Sequence, residues 1–207
     1  MRITTALDDV LASRGHVRVL RALDALPDGF GASVRDIARR ARLAHPRTAQ
    51  ILPALTALGV TKLQRAGRAD LYQLNRQHLL FPVLHELFSR EAAVQSELEA
   101  FLRKRLPAVV PAVQEAYLFG SVARGESRPG SDIDLAVVVP KASASAAEDA
   151  LTALADEVRT RFGNDLGVHL STESLAKHLR AREGRGLWTR IAKEGIQLMP
   201  AKATARA

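Results

Sequence analysis

The stretch "GSVARGESRPGSDIDL", running from Gly120 to Leu135, decides the reading of this chain. Before it, "QEAYLFG" reads as a strand ending at Gly120. After it, "IDLAVVV" reads as a second strand whose unbroken apolar run implies a sheet covered on both faces. Between them, "SVAR" can begin a helix at Ser121. A serine hydroxyl and free backbone N–H groups at a helix start, next to a glycine without a side chain, form an anion site. Asp132 and Asp134 stand at alternate positions of a strand, so both carboxylates leave one face. Held that close they repel each other unless a cation or a proton intervenes, and hard oxygen ligands suit Mg²⁺.

A phosphate cradle facing a divalent-metal site is what nucleotidyl transfer needs. Gly120 and Ser121, ten intervening residues, then Asp132, Ile133 and Asp134 resemble the signature of the polymerase-β-like nucleotidyltransferases. The longer segment "GSVARGESRPGSDIDLAVVV" looks most like their minimal, small-domain branch. The resemblance implies a mixed sheet with flanking helices. It also implies Mg²⁺-dependent binding of a nucleoside triphosphate and transfer of its monophosphate to an acceptor. Carried over by position, Gly120 and Ser121 would hold the triphosphate, while Asp132 and Asp134 would ligate metal as the catalytic carboxylates. Arg124 and Ser131 lie in the same loop and are candidate phosphate contacts.

One part of the family pattern is missing. The family supplies a third carboxylate from a later strand, which completes the metal site and can act as general base. The strand expected here is "LGVHLST", after the helix "SAAEDALTALADEVRTRF", and it contains no acid. Asp165 stands just before it and could serve only if the register slipped by two or three residues. His169 either replaces the base or fills space.

Composition sets the outer limits. The chain has 207 residues, 47% of them apolar and 25% charged, as in soluble globular proteins rather than disordered ones. The absence of cysteine excludes disulfides, zinc–thiolate sites and thiol catalysis. No apolar run approaches the roughly 20 residues of a membrane helix. The N-terminus "MRITTALDDVLASRG" lacks the apolar core of a signal peptide. A cytoplasmic protein without membrane partners is expected. The net charge of +8 is unevenly placed. Residues 1–79 hold 13 Lys/Arg against 6 Asp/Glu, and the rest 17 against 16, so the excess sits in the first part and points to a polyanion.

That part also has a pattern. Val17, Leu20, Leu23 and Leu26 recur at helical spacing until "PDGFG" breaks the helix. A second helix runs through "ASVRDIARRAR", with Ser33 as its N-cap. "LAHP" makes a tight corner, and "PRTAQILPALTALG" is a third helix, with Pro46 in its first turn and Pro53 as an internal irregularity. "VTKLQRAGRADLYQL" reads as two strands around a turn at "AGRA". Three helices and a hairpin in this order resemble the small bacterial winged helix-turn-helix regulators over about 60 residues. In that family the third helix enters the major groove of double-stranded DNA and the wing follows the backbone. Here His45, Arg47, Thr48 and Gln50 would turn away from the apolar face, and Arg65 and Arg68 would occupy the wing tip.

The expected organisation is α+β in two domains. Residues 1–79 form a winged helix-turn-helix, 80–106 a connecting helical segment, and 107–200 a minimal nucleotidyltransferase domain with its mixed sheet, followed by a frayed tail at 201–207. The connecting segment, with Leu84, Leu87, Phe88, Val94, Leu98, Phe101 and Leu102 at a roughly helical period, is one long helix or two joined ones. Its stripe either packs on the chain's own core or forms a homodimer seam. Across nearly its whole length the chain resembles fused winged-helix/nucleotidyltransferase proteins of bacteria. Two functions follow from that resemblance. One is a DNA-delivered enzyme transferring a nucleoside monophosphate from a Mg²⁺-bound triphosphate. The other is a transcriptional regulator whose degenerate transferase domain senses nucleotide without catalysis.

Overall fold

The computed structural model describes residues 5–67, 69–181 and 186–199. The chain divides into two compact units, Met1–Ala92 and Ala93–Ala207.

The first unit contains helices α1 (Ala6–Val10) and α2 (Arg14–Asp24), a two-residue strand β1 (Ala32–Ser33), and helices α3 (Val34–Ala41) and α4 (His45–Ala57). A hairpin of β2 (Thr61–Ala66) and β3 (Ala69–Leu74) follows. Helices α2 and α3 are each capped by serine: Ser13 Oγ accepts from the His16 N–H, and Ser33 Oγ from the Asp36 N–H at 3.2 Å. The sheet is antiparallel in the order β1-β3-β2. Val19, Leu20, Leu23, Ile37, Ile51, Leu52 and Leu55 form its core, none more than 2% exposed. Each such side chain contributes about 1.5–3 kcal/mol on burial. Helix α4 continues through Pro53 to Ala57.

Helix α5 (Phe81–Val109) is one continuous element of 29 residues. Its first turns add Leu84 and Phe88 to the first core, and its later turns add Leu98, Leu102 and Leu106 to the core of the second unit.

The second unit continues with β4 (Glu115–Phe119), the single-turn helix α6 (Gly120–Ala123), β5 (Ile133–Val138) and helix α7 (Ala144–Phe162). Then come β6 (Leu166–Ser171), helices α8 (Leu175–Arg180) and α9 (Leu187–Glu194), and β7 (Ile196–Met199). The sheet is mixed, in the order β6-β5-β4-β7, with β5 and β6 parallel and joined through α7. A parallel pair needs such a crossover, because a tight turn can only reverse the chain.

Strand β5 is covered on both faces, as its apolar run implies. Ile133, Leu135 and Val137 pack in one core with Leu151, Leu154 and Val158 of α7. Ala136 lies in a second, smaller core with Tyr117, Phe119 and Ile191 of α9, against which Trp188 packs. Alternation along the strand therefore puts Asp134 on the α9 face. Residues 182–185, and the tail expected at 201–207, lie outside the described residues.

Candidate active site

Gly120 stands where β4 ends, at φ +76°, a conformation that glycine adopts without the steric cost of a Cβ. The next strand brings Asp134 directly opposite: Phe119 and Asp134 are register partners. A Cβ at Gly120 would lie 2.0 Å from Asp134 Oδ2, so the carboxylate occupies the space that a side chain there would need. Helix α6 starts at Gly120 rather than at Ser121. It is only one turn long, and its N-cap Phe119 makes no side-chain cap.

These residues line a cavity of about 440 Å³. Gly120, Ser121 and Arg124 border it from α6 and its C-cap, Asp134 from β5, and His169 from β6. Helix α9 adds Leu187, Arg190 and Glu194, none of which the sequence pattern singled out. The sequence offered only a short helix, "LWTRIAKE", with two cations and one acid and no cue that it folds over the Asp134 face.

Burial raises the Asp134 carboxyl above its ordinary range, and the nearby Asp132 pushes the same way. His169, Arg190 and Arg124 act against that rise. Arg124 is itself held by two carboxylates: Nε donates to Glu126 at 2.9 Å, and Nη1 to Glu194 at 3.1 Å. Those bonds raise its pKa further, and the guanidinium remains a permanent cation.

The parallel register shows which residues stand where the family's third acid was expected. Asp134 is paired with Gly167 and Ala136 with His169, so the β6 face beside Asp134 carries a glycine and a histidine. Asp165 does not line the cavity. Its backbone carbonyl accepts from the Ile133 N–H at 2.8 Å, and its carboxylate pairs with Arg159 at 3.0 Å. Among the described residues, no group of three or more His, Asp or Glu side chains gathers in a way that could hold a metal ion. Asp132 is exposed, just ahead of β5. Ser131 is turned elsewhere: its hydroxyl accepts from the Arg128 N–H at 2.8 Å and its carbonyl from Asn164 at 2.9 Å.

In the first unit, His45, Arg47 and Gln50 are exposed on α4. Thr48 corrects the expectation that it faces outward. It is 0% exposed, and its hydroxyl donates to the Ala44 carbonyl at 3.2 Å. The cause is helical geometry, because Thr48 shares a stripe with Ile51, Leu52 and Leu55, three to seven residues on. Arg65 is exposed near the end of β2, 3.5 Å from Asp70. Arg68 lies outside the described residues.

Residues 96–181 match the family model of the nucleotidyltransferase domain. No curated protein matches the chain. Solved structures similar to part of it include the following. One is a crystal structure of a toxin-antitoxin with AMP-PNP, at 22% identity over 50% of this chain and 74% of that one, with a TM-score of 0.35. The second, a doubly substituted mutant of the toxin-antitoxin MntA-HpeT, has 21% identity over 50% and 74%, with a TM-score of 0.35. The third, a singly substituted mutant of the same toxin-antitoxin, has 22% identity over 50% and 73%, with a TM-score of 0.34. No described helix is long and apolar enough to cross a membrane.

Proposed function

We propose that this chain binds a Mg²⁺–nucleoside triphosphate in the Gly120–Asp134 cavity, transfers the nucleoside monophosphate to an acceptor, and binds double-stranded DNA through its first unit. The observation that carries the nucleotide reading is the fit of Asp134 into the space left by Gly120, in a cavity bordered by Arg124, Arg190 and His169. The match of residues 96–181 to the nucleotidyltransferase domain supports it.

Asp132 and Asp134 are the residues that would hold the cation. Two carboxylates fit Mg²⁺, which is usually bound by one or two protein acids and completes its shell with phosphate and water. Bound there, the ion would supply Lewis-acid stabilisation of charge on the phosphates. Arg124 and Arg190 offer guanidinium groups to the same phosphates. Glu126 and Glu194 hold Arg124 at the border of the cavity.

For the first unit we read a winged helix-turn-helix. The order α2-β1-α3-α4-β2-β3 supports it, with His45, Arg47 and Gln50 exposed on α4 and Arg65 on the hairpin. Thr48 drops out of that surface. The glycine and histidine on the β6 face favour a second reading, in which the nucleotide is sensed and not consumed.

Calorimetry with each ribonucleoside triphosphate, with and without Mg²⁺, tests the site. Mg²⁺-dependent binding that is lost in the Asp132→Ala/Asp134→Ala variant supports it, and equal binding by that variant sinks it. Transfer of radiolabel to protein or RNA separates enzyme from sensor. Duplex binding should fall steeply with salt, by a slope of about −0.9 per phosphate neutralised, and Arg65→Ala should flatten that slope by about 1.

A further inference from the structure

Helices α2 and α3 of the first unit enclose a cleft of about 500 Å³ to which α4 contributes no residue. Its lining is four arginines, Arg18, Arg21, Arg40 and Arg42, with Ala22, Ala25 and Ala41 between them and no acid. Arg21 is neutralised by a two-pronged pair with Glu91 at 2.5 and 2.7 Å. Arg18, Arg40 and Arg42 have no carboxylate partner among the described residues.

Two of these arginines are set in place by the backbone. Arg18 is half-buried and donates from Nη1 to the Arg42 carbonyl at 3.2 Å. Arg42 is the C-cap of α3 at φ 51°, the only non-glycine residue with positive φ among those described. Glycine is the usual occupant of such a cap, so an arginine there keeps its side chain at a backbone cost.

The charge balance states what would fit. Helices α2 and α3 both end at the cleft, with Ala25 and Arg42 as C-caps, and each contributes about half a negative charge. Set against three unpaired guanidinium groups, about two positive charges remain uncompensated. Gathering them is unfavourable until an anion arrives. The alanines leave room and offer no side-chain hydrogen bonds, so recognition falls to the guanidinium forks, whose planar geometry suits phosphate.

We propose that this cleft is a binding site for a small ligand carrying two or more adjacent phosphate groups, separate from the Asp134 cavity. It depends on neither the transferase nor the DNA reading. The concave shape and the lack of any α4 residue favour a small polyphosphate over a duplex.

The test is calorimetry on the full chain in EDTA, with tripolyphosphate and ATP as probes. We expect saturable binding that weakens at least tenfold in Arg18→Gln and in Arg42→Gln, and less in Arg42→Lys, which keeps the charge but not the fork. Tighter binding of ATP than of tripolyphosphate would identify an organic source, and equal binding an inorganic one; both support the site. If Arg18→Gln fails to fold by circular dichroism, the exposed Arg42 decides. Three results overturn the proposal: no binding at millimolar probe, binding that survives the cleft variants but is lost in Arg190→Ala, or a duplex binding through Arg18 and Arg42 where tripolyphosphate does not.

Discussion

Gly120 and Asp134 share one space: the carboxylate of Asp134 lies where any side chain at Gly120 would have to go, with Oδ2 2.0 Å from that Cβ position. The first unit has no comparable constraint at its hairpin turn, where nothing lies within 4 Å of a Cβ at Gly67. Gly120→Ala therefore meets two costs, roughly 1–2 kcal/mol for the left-handed backbone and the displacement of Asp134. We expect a lower melting temperature and loss of Mg²⁺-dependent nucleotide binding, read by calorimetry. Full binding by Gly120→Ala would contradict the placement of the site.

Glu194 meets Arg124 at 3.1 Å and would compete for it with a bound phosphate. Glu194→Gln removes a carboxylate from the cavity and leaves Arg124 paired with Glu126 alone. For a pair this exposed the gain is modest, and triphosphate affinity should rise by up to about fivefold. A fall in affinity would show that Glu194 serves the ligand instead.

Tyr117 gives a pH signature. Burial, then the charge of Glu115 and its hydrogen bond at 3.1 Å, push the phenol from 10.0 up to about 12. The folded state holds this proton more tightly than the unfolded chain does. The resulting stability is complete below pH 10 and is lost as the pH rises toward about 12. Tyr117→Phe should cost about 0.5–1.5 kcal/mol at pH 7 and flatten the alkaline loss, as read by denaturant melts across that window. Glu115 keeps its second partner, the Leu175 N–H at 3.0 Å.

Thr48 and Gln50 stand two residues apart on α4 and should behave oppositely. Thr48 is buried and Gln50 exposed. We expect Thr48→Val to leave duplex preference unchanged and shift stability by about 1 kcal/mol at most. Gln50→Ala should change which sequence is preferred, because side chains early in such a helix reach base edges. Competition binding with a randomised duplex pool separates the two.

Ser33 caps α3, where its hydroxyl accepts from the Asp36 N–H at 3.2 Å and donates to the Asp36 carboxylate at 2.7 Å. Ser33→Ala should cost about 1 kcal/mol, seen as a drop of roughly 4–8 °C in the melting of the first unit.

Much of this was legible in the residues themselves. The period of "ASVRDIARRAR" and its serine cap set α3, and the apolar run "IDLAVVV" set a strand covered on both faces. Local chemistry carries such signals, because a cap, a turn glycine or an alternating strand acts within a few residues. Thr48 was misread because a threonine between an arginine and an alanine carries no mark of burial. Only the stripe it shares with Ile51, Leu52 and Leu55 puts it inside.

By itself the sequence determined the strand–turn–strand around Gly120, the pairing of Asp132 with Asp134, and the lack of an acid in "LGVHLST". The tertiary structure alone decided what surrounds Asp134. The parallel register brought Gly167 and His169 to that face, and α9, more than fifty residues on from Asp134, folded Arg190 and Glu194 over it. It also brought Arg18 to the Arg42 carbonyl, 24 residues away, to build the arginine cleft. The reason is physical: strand pairing and helix docking are fixed by burying apolar faces, and the polar residues they carry along meet without any sequence signal of their own.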